Sequence, residues 1–395
     1  MNKNAPRIKT GLDTLWDKRP ECLKGRRLGL LANPASITSQ FEHAKDVIAQ
    51  RFPGQICALF SPQHGFFAEK QDNMIESGHF RAPDLNIPVF SLYSETRIPT
   101  TDMFDPIDTL VIDIQDVGTR VYTFIYTISY CLEMAAKLGR SVVVLDRPNP
   151  VGGLQIEGNI LEEDYSSFVG RYPIPMRHGM TVGEITAYIN STQKIDCDLT
   201  VIPMQGWTRD MYWQDTGLTW IPPSPNLPTP LSAMVYPGQV IFEGTNLSEG
   251  RGTTLPFEQF GAPYLDIHTL KQRVQGRLEG IVLRPVCFQP TSGKWRNQTC
   301  QGVHIHVTDR RKYKPYLYSL ILLQEIMKAH PNGFQFKAPP YEYEFERLPM
   351  DLILGSRKLR ENLEGRNDPL ELEKTWQASL QQFKQESQNF YIYGF

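Results

Sequence analysis

TLVIDI at 109–114 and SVVVLD at 141–146 are the two stretches that decide the fold. Each is a nearly unbroken aliphatic run, the signature of a strand buried on both faces. Between them Val121, Phe124, Ile125, Ile128, Leu132 and Ala136 fall on one stripe of an amphipathic helix, and Gly139 supplies its stop. Working outward, further strands are predicted at Arg27–Leu31, Ile56–Phe60, Val89–Tyr93 and Leu199–Ile202. A helix opens at Thr181, where Glu184 completes a capping box. Strands alternating with helices predict an α/β fold with a Rossmann-like, doubly wound parallel sheet.

From about Trp207 the pattern changes. Trp220–Pro230, WIPPSPNLPTP, holds five prolines in eleven residues, so it is neither helix nor central strand; a rigid linker is one reading. Beyond it MVYPGQVIF (234–242) reads as a strand, as do Gly280–Phe288 and Val303–Val307. Helices are expected over Pro315–Ala329 and Leu370–Gln385. The division expected is an α/β lobe over 1–206 and a smaller α+β C-terminal lobe over 207–395.

At 395 residues, 41% hydrophobic and 21% charged, the chain is that of a globular protein with room for two lobes. A net charge of −2 gives no electrostatic reason to expect nucleic acid or an anionic membrane as partner. The six cysteines form no C-x-x-C pair and read as scattered thiols of a reducing compartment. Met1–Thr10 is polar with no apolar stretch behind it, so a cytoplasmic protein is expected.

Open parallel sheets bind ligands outside the carboxyl ends of their strands. The segments there are SPQHGFFAEKQDNMIES (61–77), YSETR (93–97), QDVGTR (115–120) and DRPNP (146–150), all dense in polar groups. ANPAS follows the first strand in place of a glycine-rich phosphate loop, so no dinucleotide cofactor is expected. No Gly-x-Ser-x-Gly elbow occurs either. Glycoside hydrolysis needs a carboxylic acid, usually with a second carboxylate. Candidates fall in three groups: Glu69 with Glu76, Asp113 with Asp116, and Glu243 with Glu249 in FEGTNLSEGRGT (242–253). Taken singly, each is equally explained as a loop cap or surface ion pair. His304 and His306 share a strand face but lack an evident third ligand, so no metal is expected. Tyr93, Tyr122, Tyr126, Trp207, Tyr212, Trp213 and Trp220 offer aromatic surfaces on which sugar rings stack, although Tyr126 fits its helix's core face.

QHGF (63–66), DIQDVGTRVYTF (113–124), DRPNPVGG (146–153), EGNIL (157–161), RHGMTVGE (177–184), PSPNLPT (223–229), EGTNLSEGRGTTLPFEQFGAP (243–263) and DLILGSRKLRENL (351–363) occur in this order. Together they resemble the NamZ-type exo-β-N-acetylmuramidases, a glycoside hydrolase family, over nearly the whole chain from Gly11. The resemblance implies a Rossmann-like lobe and a smaller lobe with the active cleft between them. It implies release of terminal N-acetylmuramic acid from peptidoglycan fragments, a small carbohydrate partner and no cofactor. Asp116, Arg120, Asp146, Asn149, His178, Asn226, Glu243, Asn246 and Arg251 match the family's polar motif positions. The family's usual Glu-His-Gly is Gln63-His64-Gly65 here, and a neutral amide cannot serve as general acid. Glu69 or Glu76 is then the expected acid and Glu243 or Asp116 its partner. Gln63 orients a water or the acetamido group, and Arg251, Arg120, His64 and Asn246 hold the sugar and its lactyl carboxylate. Two rivals are a catalytically inactive sugar-binding protein and a hydrolase or transferase on another acidic sugar, metal-assisted through Asp113, Asp116 and Asp146.

Overall fold

The computed structural model describes residues 8–17, 20–70 and 74–394. Most of the polar N-terminal stretch, and residues 71–73 of the segment after the second strand, lie outside them. Strands β1 (Leu28–Ala32), β2 (Ile56–Ser61), β3 (Phe80–Ala82), β4 (Ile87–Ser91), β5 (Thr109–Asp113) and β6 (Ser141–Leu145) follow one another. The pair β7 (Glu157–Ile160) and β8 (Pro175–Arg177) comes next, then β9 (Asp198–Ile202). Seven of them form one sheet in the order β3-β4-β2-β1-β5-β6-β9, parallel except at the β3 edge. The six strands read from the sequence before Trp207 are all present.

The aliphatic runs are continuous because the sheet has an apolar layer on each face. Leu110, Ile112, Val142 and Val144 point into one core, and Val111, Val143 and Leu145 into the other. Helix Phe124–Lys137 covers the first face with Phe124, Ile128, Cys131 and Leu132. Thr181 caps helix Val182–Thr192 in the expected box with Glu184.

The C-terminal part carries a three-stranded antiparallel sheet of β10 (Gln259–Ala262), β11 (Ile281–Phe288) and β12 (Cys300–Val307), ordered β10-β12-β11. The chain is thus a mixed α/β protein with a large, mostly parallel sheet and a smaller antiparallel C-terminal part. MVYPGQVIF, expected as a strand, is instead the end of helix Pro230–Gln239 and a 3₁₀ turn over Val240–Gly244. Every residue of that stretch is buried, and a uniformly apolar run does not distinguish a buried helix from a buried strand. The proline-rich stretch does not act as a spacer: it ends at Thr229, which caps that helix reciprocally with Ser232, with Pro230 at the first position. The final helix is two, Pro369–Thr375 and Gln377–Ser387, divided at Trp376. No helix among the described residues is long and apolar enough to cross a membrane, and all six cysteines are free.

Candidate active site

Loops from both parts of the chain close on a narrow cleft. The parallel sheet contributes Gln63 and His64 after β2, and Val121–Phe124 between β5 and its helix. The C-terminal part contributes Ser224, Asn226 and Leu227 of the proline-rich stretch, with Tyr236, Glu243, Arg251, Phe257, Tyr341 and Glu342. Three lining residues, His64 (φ 75°), Phe257 (63°) and Glu342 (46°), hold left-handed backbone, which is uncommon for non-glycine residues.

Two buried carboxylates face different surroundings. Glu243 sits in the 3₁₀ turn that follows helix Pro230–Gln239. Its Oε1 accepts from Arg251 Nη2 at 2.7 Å and its Oε2 from the Tyr341 hydroxyl at 2.7 Å. Burial alone would raise this carboxyl, but the Arg251 guanidinium and the Tyr341 hydrogen bond more than offset it and hold the group below the ordinary carboxylate range. Arg251 also reaches Glu249 at 3.3 Å, and Lys294 Nζ pairs with Glu249 at 2.8 Å. Among the described residues no cation pairs with Glu342. Its partners are the Tyr93 hydroxyl at 2.7 Å and Gln63 Nε2 at 3.2 Å. Burial pushes its carboxyl up; the Tyr93 bond opposes this, while the negative charge of Glu243 adds to it.

Gln63 is fixed in one orientation. Its Oε1 accepts from Thr123 Oγ1 at 2.7 Å, which turns its amide N–H toward Glu342. Beside it, His64 Nδ1 donates to the Lys70 carbonyl at 2.8 Å.

Of the residues singled out from the sequence as site candidates, Gln63, His64, Tyr122, Asn226, Glu243 and Arg251 meet in this cleft. Glu69 and Glu76 do not line it. Glu69 is exposed and folds back over Gly65, accepting from the Phe67 N–H at 3.3 Å. Glu76 is exposed, 3.5 Å from the Tyr343 hydroxyl. The others belong to the scaffold. Arg120 is wholly buried and donates to the carbonyls of Asn159, Ile174, Ile353 and Leu354 at 2.8–3.1 Å. Asp146 accepts from Gly183 N and Thr181 Oγ1 at the start of helix Val182–Thr192, and from the Tyr393 hydroxyl. Asn149 holds the Met180 carbonyl, and Asn246 ties Tyr264 to Gly333 and Gln335. Asp116 accepts from Gly118 N at 2.7 Å, with His178 Nε2 at 3.9 Å. Burial pushes Asp116 up to about 7 and His178 down to about 3. Asp113 is clamped by Arg147, whose Nη2 lies 2.8 Å from Oδ2. His304 and His306 accept from Arg284, and among the described residues no three or more His, Cys, Asp or Glu side chains are grouped to hold a metal ion.

The residue that sequence reasoning missed is Glu342. It lies in YEYEFE (341–346), a stretch of alternating aromatics and acids that carries no catalytic motif. A pair of prolines before it, Pro339-Pro340, was the one local sign of a constrained turn.

Comparison with known proteins agrees with this architecture. Residues 28–231 match the family model described as exo-β-N-acetylmuramidase NamZ, N-terminal, and residues 234–393 match its C-terminal counterpart. The peptidoglycan β-N-acetylmuramidase NamZ of Bacillus subtilis (strain 168) is 40% identical over 389 residues, covering 98% of this chain and 92% of that one. Two crystal structures of DUF1343 family proteins from Bacteroides fragilis NCTC 9343 share the fold. One has a TM-score of 0.88 at 34% identity, the other 0.75 at 28%, and each comparison covers 98% of this chain and 99% of the other. With both halves matched and a relative this similar along almost its full length, the chain belongs to the NamZ exo-β-N-acetylmuramidase family.

Proposed function

We propose that this protein is a glycoside hydrolase that releases terminal N-acetylmuramic acid from peptidoglycan fragments, with Glu342 as general acid and Glu243 as the ionised partner. The observation that carries the reading is the opposed environment of the two carboxyls. One is paired with Arg251, while the other is buried with neutral hydrogen-bond partners, Tyr93 and Gln63, and is pushed up by burial and by the charge of Glu243. Environments that push two carboxyls apart assign one to proton donation and the other to charge stabilisation.

Glu342 gives its proton to the glycosidic oxygen as the bond to the anomeric carbon breaks. The Glu243 carboxylate stabilises the positive charge that develops on the sugar ring, and a water then adds to the anomeric carbon, its proton restoring the acid. Tyr93 and Gln63 hold the acid in place, and Gln63 leaves it without a like charge at close range. Asn226 and His64 supply polar contacts to the sugar. The free space at the centre of the cleft is about 40 Å³, room for a water and not for a pyranose. Sugar hydroxyls therefore displace some of the hydrogen bonds that now close the cleft as the walls part. Six free cysteines favour a cytoplasmic setting, with the substrate arriving as small wall fragments.

The test is incubation with a chromogenic β-N-acetylmuramide, with the matching N-acetylglucosaminide as control. Release from the first alone, lost in Glu342→Gln, is the expected result. Release undiminished in that variant removes Glu342 from the role of acid, and no release from either sugar overturns the hydrolase. A second reading, sugar binding without turnover, is favoured by the amide at position 63; it predicts calorimetric binding of N-acetylmuramic acid with no release.

A further inference from the structure

We infer that Arg97 recognises the carboxylate of the substrate's lactyl ether and so selects muramic over glucosamine sugars, an assignment that rests on the muramidase reading above. N-acetylmuramic acid differs from N-acetylglucosamine only by that ether, so specificity requires a group on the protein that answers a carboxylate. A guanidinium with unused donors beside the reacting carboxyls is the chemistry that fits.

The two arginines matched to family motifs are committed elsewhere. Arg120 donates to four backbone carbonyls inside the scaffold. Arg251 stands between Glu243 and Glu249. Arg97 is different. It lies in the turn after β4, and its Nε and Nη2 are buried without a hydrogen-bond partner among the described residues. The Ser94 hydroxyl, in the same turn, is also buried and unpartnered. Desolvated donors left unmatched are costly, and the Nε–Nη2 edge is the side of a guanidinium that takes a carboxylate through two parallel bonds.

Its position ties it to the acid. The guanidinium carbon lies 3.4 Å from the ring centroid of Tyr343, the residue next to Glu342. It is 5.1 Å from the ring of Tyr93, whose hydroxyl holds Glu342. One aromatic layer thus separates Arg97 from the proton donor. The lactyl group leaves the pyranose two ring carbons from the anomeric centre, and in the orientation we infer a sugar reacting at Glu342 turns its carboxylate toward Arg97. The stacked rings shield the guanidinium from water, which strengthens a charge-assisted pair.

The experiment is a cycle that crosses Arg97→Gln with methyl esterification of the lactyl carboxylate on the chromogenic muramide. Either change alone is expected to raise KM about 10- to 100-fold with a smaller effect on kcat, and the two together no more than one of them. Arg97→Lys, which keeps the charge but not the fork, recovers part of the loss. Effects that multiply, or an Arg97→Gln enzyme with unchanged KM, overturn the assignment and leave the muramidase reading intact. Calorimetry with free N-acetylmuramic acid separates the two claims. A wild-type protein that binds this sugar through Arg97 but cleaves nothing overturns the hydrolase and keeps the recognition. Absence of both binding and cleavage overturns both.

Discussion

Gln63 donates its amide N–H to Glu342 across 3.2 Å, joining positions 279 residues apart at the floor of the cleft. A glutamate at position 63 would set two carboxyls within hydrogen-bond distance of each other. Such a pair shares one proton and titrates as a unit. With an amide there, Glu342 is the carboxyl that can hold the proton.

Gln63→Glu should therefore move the alkaline limb of the pH profile of kcat/KM upward. A second negative charge beside Glu342 makes its proton harder to lose, so the acid stays protonated to higher pH. An alkaline limb that stays in place, measured with the chromogenic muramide, would remove Glu342 from the role of proton donor.

Glu342→Gln should lower kcat by about 10²- to 10⁴-fold, the usual contribution of a positioned general acid. The same substitution should raise stability at neutral pH. Because burial raises the folded-state pKa of Glu342 above its ordinary 4.5, the stability linked to its proton is present below that value and is lost as pH rises through the folded pKa. The Tm advantage of the variant should accordingly be absent near pH 4 and grow toward pH 7. A constant advantage would mean that the carboxyl is not perturbed.

Arg251→Met leaves Glu243 buried without its cation, which should cost about 3–5 kcal/mol in urea denaturation. Glu243→Gln should cost less, since Arg251 retains Glu249. Equal losses in the two variants would contradict the charge arrangement described for this cluster.

Arg120→Lys should destabilise by more than about 2 kcal/mol while leaving KM unchanged in the folded enzyme, because an ammonium cannot reach four carbonyls held in the plane of a guanidinium. A raised KM with normal stability would instead return Arg120 to the substrate.

The parallel sheet was legible because its determinants are local. Alternate residues of TLVIDI and SVVVLD serve two apolar layers, and Thr181 with Glu184 caps a helix within four residues. MVYPGQVIF was misread since uniform burial erases the periodicity that separates helix from strand. The motif residues divided in a way the sequence could not show. Arg120, Asp146, Asn149 and His178 read as site groups because they match the family's polar motif positions, yet each is used to bind backbone or brace a loop.

The sequence by itself determined the alternation of strands and helices in the parallel sheet, the family and the polar character of the loops at the sheet's carboxyl edge, all properties of short segments. Only the tertiary structure decided which carboxyls share a cleft and what surrounds each. A carboxyl's proton affinity depends on burial and on charges brought from elsewhere in the chain: Glu243 meets Arg251 and Tyr341, while Glu342 meets Gln63 and Tyr93 from the other side of the cleft.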